Sequence, residues 1–175
     1  MSDNNFYVVY KQGMFGHGIH AISENKPLAE NIALQAAADD TEHNHSYDVY
    51  RVPQDTLSEP SGNEKLDFGW MNHRPAFSTR KREPLHSPTP PGSSDTKVFV
   101  VYKQGFYGHG AHAISFEQEK AEALADECAK RDHDSYHSYD VYPVYLDILK
   151  RSNLDPKIDQ GWMNIDPIYS VRKES

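Results

Sequence analysis

FYVVYKQGMFGHGIHAIS, running from Phe6 to Ser23, returns as VFVVYKQGFYGHGAHAIS from Val98 to Ser115, and this repetition decides the fold. HSYDVY and GWMN follow each copy in the same order. The register is constant from Tyr10/Tyr102 through His17/His109, Asp48/Asp140 and Trp70/Trp162 to Arg80/Arg172. A period this long, roughly twice that of common solenoid repeats, marks two whole folded units and not a stacked array. Each unit has roughly 75 to 80 residues, enough for one small core of limited stability, so the two are expected to support one another. The first unit takes residues 1–81 and the second 97–175. Between them lies REPLHSPTPPGSSDT, Arg82 to Thr96, whose Pro, Ser and Gly content reads as an extended linker.

Within a unit, Phe6, Val8 and Tyr10 alternate with Tyr7 and Val9, as Val98, Val100 and Tyr102 do with Phe99 and Val101; this pattern predicts a strand buried on both faces. A glycine-rich turn, Gly13 to Gly18 or Gly105 to Gly110, leads to His20-Ala21-Ile22 or His112-Ala113-Ile114 and makes a hairpin. Ser115 and Gln118 read as a capping box, followed by Ala121, Leu124, Ala125, Cys128 and Ala129 at helical spacing. Ala29, Ile32, Ala33, Ala36 and Ala37 form the matching stripe, with Pro27 in the first turn. Cys128 reads as core. Ser46 to Tyr50 and Ser138 to Tyr142 supply a third strand, placed beside the first after a right-handed crossover. Asp147 to Arg151 reads as a short helical turn, and Ile168 to Val171 as an added strand. The expected class is α+β: two tandem ββαβ domains, each a small mixed sheet with one helix packed on it, related by pseudo-twofold symmetry like a covalent homodimer.

The YVVY strand, Gly-rich turn, HAIS strand, Ala/Glu helix and YDVY strand resemble small ββαβ domains of unknown function encoded by bacteria and their phages. That resemblance spans both repeats. It implies a bacterial or viral accessory protein without enzymatic activity.

Composition narrows the function classes. The chain has 175 residues, 37% of them hydrophobic, with no apolar run near the ~20 residues that a membrane span needs. Its start, MSDNNF, lacks the pattern of a signal peptide, and one cysteine cannot form an internal disulfide, so the cytoplasm is the expected compartment. A formal charge of -8 opposes general nucleic-acid binding.

The polar residues that both copies carry are the candidates for a site: Lys11, Gln12, His17, His20, Tyr47 and Asp48, with Lys103, Gln104, His109, His112, Tyr139 and Asp140. Function and a recent duplication both explain such identity. The Gly/His turn reads either as an anion-binding nest beside Lys11 or Lys103, or as a plain hairpin turn. His17, His20, His45 and Asp48 have the side-chain types of a zinc or nickel site, but a spacing that does not make them converge. In HSYD, His45 and Tyr47 share one strand face while Ser46 and Asp48 share the other, so no catalytic triad forms. Tyr47, Tyr50, Trp70 and their twins are suited to stacking on a planar ring or to anchoring a protein interface, or else belong to the core.

Binding is therefore expected over catalysis, without a cofactor. The first expectation is capture of an anionic, ring-containing small molecule such as a signalling nucleotide, with the lysines exposed at the strand end to hold its charge. The second is a protein-interaction module or inhibitor with an aromatic surface, open to further homo-oligomerisation. A metal-dependent enzyme is the third.

Overall fold

The structure, a computed structural model, describes residues 4–13, 17–41, 44–60, 67–80, 94–105, 109–132, 136–150 and 159–173. The first half comprises β1 (Asn5–Gln12), β2 (Gly18–Ser23), α1 (Lys26–Asp39), β3 (Ser46–Pro53) and β4 (Phe77–Arg80). The second repeats it with β5 (Lys97–Gln104), β6 (Gly110–Ser115), α2 (Gln118–Arg131), β7 (Ser138–Tyr145) and β8 (Tyr169–Arg172). A single 3-10 turn, Gly69–Asn72 or Gly161–Asn164, carries each GWMN.

Each half is a four-stranded sheet in the order β2-β1-β3-β4 or β6-β5-β7-β8, and every pairing is antiparallel. The expected mixed sheet is thus corrected. The hairpin reverses β2 against β1, and the α1 crossover sets β3 parallel to β2. Because β1 lies between them, β3 bonds only to a strand running the opposite way.

Strand alternation gives each sheet two apolar faces. Val9, Ala21, Tyr47 and Val49 pack against Ala29, Ile32, Ala33, Ala36 and Ala37 of α1, and the second half repeats this with α2. Phe6, Val8, Tyr10, Tyr50 and Val52 turn the other way and meet Val98, Val100, Tyr102, Tyr142 and Val144. The layers run helix, sheet, sheet, helix. Cys128 lies in the helix layer, where burial pushes its thiol up to about 12. Phe6 also packs on Phe116, with ring centroids 5.2 Å apart.

Helix entry differs between the copies. Asn25 caps α1 by accepting from Leu28 N at 3.0 Å. No capping box forms in the second copy: Glu117 is the N-cap without a side-chain bond, and Ser115 Oγ accepts from Glu117 N instead.

After β3 the chain crosses to the other half before β4 returns. Asp55 N and Ser58 N donate to Ile114 O and His112 O, and Gly69–Asn72 packs on β6. Reciprocally, Asp147 N and Lys150 N donate to Ile22 O and His20 O, and Gly161–Asn164 packs on β2. Asp147 to Lys150 therefore belongs to an extended arm, not the expected helical turn; Arg151 lies outside the described residues. Each arm covers the outer edge strand of the opposite sheet, which would otherwise offer unpaired backbone groups. These cross-half contacts are made twice with the roles exchanged, the pattern of an isologous interface. Of the sequence-defined linker, residues 82–93 lie outside the described residues.

Candidate functional site

The sheet divides the candidate residues into two sets. A bulge at Val9/Tyr10 leaves His20 without a partner across β1, and the same irregularity at Val101/Tyr102 does so for His112. Lys11, His20 and Tyr47 lie on the helix side, fully or nearly fully buried, as do Lys103, His112 and Tyr139. Gln12 and Asp48 lie on the seam side with Tyr10 and Tyr50, and their twins match them.

The lysines are not at an exposed strand end, as the sequence suggested. Both have 0% exposure; Lys11 Nζ donates to Asp159 O at 3.1 Å, and Lys103 Nζ to Asp67 O at 3.3 Å. Those carbonyls sit on the exchanged arms, so each lysine fastens one half to the other. Lys11→Ala or Lys103→Ala should cost about 2 to 4 kcal/mol, through a lost charge-assisted bond, an orphaned carbonyl and a cavity. Urea denaturation checks this, and an unchanged midpoint would remove the lysines from the arm contact.

The tyrosines of HSYD are likewise interior. Tyr47 OH donates to Asp40 Oδ2 at 2.7 Å, and His45 Nδ1 meets the same oxygen at 2.9 Å. Tyr139, His137 and Asp132 repeat the arrangement at 2.8 and 3.1 Å. Asp40 and Asp132 are the C-caps of α1 and α2, so each cluster ties a helix end to β3 or β7. All six side chains are buried, which makes these clusters braces and not acid–base centres open to substrate. Asp40 and Asp132 were absent from the sequence candidates, although their identity in both copies was a usable signal.

The metal set does not assemble either. His20 and His45 lie on the helix side and Asp48 on the seam side, with the sheet between them. Among the described residues, no three His, Cys, Asp or Glu side chains are placed to share an ion.

The seam side is different. Gln12 Nε2 donates to Asp48 Oδ2 at 3.1 Å and to Tyr50 OH at 2.5 Å, while Ser78 donates to Asp48 Oδ1. Gln104 likewise donates to Tyr142, and Ser170 to Asp140. Tyr10 and Tyr102 join their hydroxyls at 3.3 Å and stand edge-on to Tyr50 and Tyr142. A chain of four tyrosines thus links the two carboxylates. Burial pushes Tyr10 and Tyr142 up to about 12 and holds Tyr50 and Tyr102 well above the ordinary tyrosine value, so all four stay neutral. His17 and His109 stack across the seam with centroids 6.2 Å apart, half-buried. Burial and then neighbouring charge lower both imidazoles, which favours the neutral ring. Of the turns between, residues 14–16 and 106–108 lie outside the described residues, and the anion-nest reading falls there.

A cleft of about 440 Å³ lies apart from all of this, lined by Asp126, Ala129, Lys130, Val171, Arg172 and Lys173. No candidate residue lines it. No described helix is long and apolar enough to cross a membrane. The chain matches no family model, no curated protein and no solved structure.

Proposed function

We propose that the protein is a non-enzymatic binding protein that takes one ring-containing small molecule at the mouth of the seam, on a pseudo-twofold axis between the halves. The observation that carries this is the convergence of the incompletely buried candidates. His17 and His109 stack across the seam, and Gln12 and Gln104, at the β1 and β5 ends of the same hairpin turns, bond to Asp48 and Tyr50 or to Tyr142 on the seam side. Neutral imidazole faces suit a planar ring. Gln12 spends its amide donor on Asp48 and Tyr50, leaving its carbonyl oxygen as an acceptor, so the ligand edge should carry N–H donors, as a nucleobase does. The lysines hold arms, so any phosphate on a nucleotide ligand must be met by other groups. The aromatic-surface alternative has less support, since Tyr47, Tyr50 and their twins are interior.

Calorimetry with a panel of nucleosides and nucleotides tests the reading. A binder should saturate at one per chain, and at a hundredfold its dissociation constant should add about 2.7 kcal/mol of stability. Gln12→Ala with Gln104→Ala should weaken it roughly tenfold to a hundredfold. Two independent ligands per chain, or affinity indifferent to both substitutions, would sink the axial site.

A further inference from the structure

His20 and His112 are unsuited to binding a ligand but well placed for another task. They are 1% and 2% exposed. Neither ring nitrogen of His20 has a hydrogen-bond partner among the described residues. His112 Nε2 has none, while its Nδ1 meets Ser58 Oγ at 3.2 Å. Buried polar groups are nearly always paired, so a buried histidine with an unpartnered ring nitrogen in both halves needs a reason. Each lies directly beneath the arm of the opposite half. Lys150 N donates to His20 O, and a Cβ on Gly161 would come within 3.0 Å of His20 Cδ2. Ser58 N donates to His112 O, and a Cβ on Gly69 would come within 2.9 Å of His112 Cδ2.

The charged surroundings do not offset a proton on either ring. His20 faces Lys11 from β1, the edge of Tyr47 from β3 with Asp40 and His45 behind it, and Asp159 and Lys150 from the arm. The backbone of Lys150 and Asp159 approaches the ring without reaching hydrogen-bonding geometry. His112 faces Lys103, Tyr139, and Asp132 and Arg131 at the end of α2, with His137 behind Tyr139 and Asp67 on the arm. An imidazolium there would be shut off from bulk solvent beside an ammonium, answered by one nearby arm carboxylate and the already bonded helix-end aspartate.

We propose that His20 and His112 are paired acid latches, each of which lets go of the opposite half's arm when it takes up a proton. Burial holds both rings down at about 4 while the arms are closed, against the ordinary 6.5 once water reaches them. The closed state therefore binds fewer protons. Closure is at full strength above pH 6.5, weakens by up to ~10-fold per pH unit for each histidine as pH falls toward 4, and levels off below that. Opening uncovers the outer edges of β2 and β6 while the helix layers stay in place.

The chain supplies its own reporters, because its two tryptophans, Trp70 and Trp162, sit one on each arm. In the full-length protein, tryptophan fluorescence should change between pH 6.5 and 4 while far-ultraviolet circular dichroism holds. His20→Gln with His112→Gln should flatten that fluorescence step. Coincident fluorescence and dichroism transitions in the unaltered protein, or a step that survives the double substitution, would overturn the latch. Should the double variant not fold, hydrogen exchange on the unaltered protein decides. Acid should selectively speed the amides of Asp55, Ser58, Asp147 and Lys150, corrected for intrinsic rates; uniform speeding across α1, α2, β1 and β5 as well would rule the latch out.

Discussion

Gly69→Ala and Gly161→Ala are each expected to cost about 3 to 5 kcal/mol and, combined, to leave the chain unfolded or nearly so. Two penalties act at each position. The backbone is left-handed, with φ of +63° at Gly69 and +61° at Gly161, where a side chain costs about 1 to 2 kcal/mol. The added carbon would then lie 2.2 Å from Ala111 O or 2.3 Å from Ile19 O, and both obstacles are backbone of an edge strand, which cannot swing aside as a side chain would. Relief requires lifting the arm, and with it the lysine bond beneath. Chemical denaturation of the single variants gives the magnitude, with Ala38→Gly on α1 as a control limited to the ~1 kcal/mol cost of helix propensity. Losses below about 1 kcal/mol at both glycines would mean that the arms are not seated on the edge strands.

Asp40→Ala and Asp132→Ala should be comparably damaging, at about 3 to 5 kcal/mol each. Removing the carboxylate takes from a buried tyrosine hydroxyl and a buried histidine Nδ1 the oxygen they share, and such a loss costs more than the pair itself contributes. Asp40→Asn should lose less, because an amide oxygen in the place of Oδ2 still accepts from Tyr47 and His45, only without the charge. A double-mutant cycle of Asp40→Ala with Tyr47→Phe should show coupling of about 1 kcal/mol or more. Additive losses would show that Tyr47 and Asp40 act independently and that the helix end is held by other contacts.

What could be read from the sequence follows the range over which each contact acts. The helical stripe from Ala29 to Ala37 is local, and those residues are the ones buried against the sheet. The added strand near Ile168 to Val171 appears one residue later, at Tyr169–Arg172. Strand direction is not legible in this way, because it depends on which neighbour β3 selects, a choice that alternation within β3 does not encode. Lys11 reads as exposed because a lysine at a strand end normally snorkels to water. Its partner, Asp159 O, lies on an arm 148 residues away, beyond any local pattern. The arms are illegible for a related reason: they run along the sheet edges by backbone bonds at Asp55, Ser58, Asp147 and Lys150, which leave little trace in side-chain periodicity. Among the seam residues, Gln12 and Asp48 were legible from their repetition. Ser170 and Tyr10 carry the same signal but read as ordinary strand residues.

The contact between Phe6 and Phe116 has a counterpart only in position. At the matching place in the repeat stand Val98 and Glu24, so the aromatic pair exists at one end of the seam and not the other. Two identical subunits encoded by one gene could not manage this, since every substitution would enter both ends at once and must be tolerated at each. A duplicated and joined gene lifts that constraint. One end can be tuned for cohesion while the other drifts or acquires a new selective value. Ile19 against Ala111, and Lys150 against Ser58, are further places where inheritance has already separated the two ends.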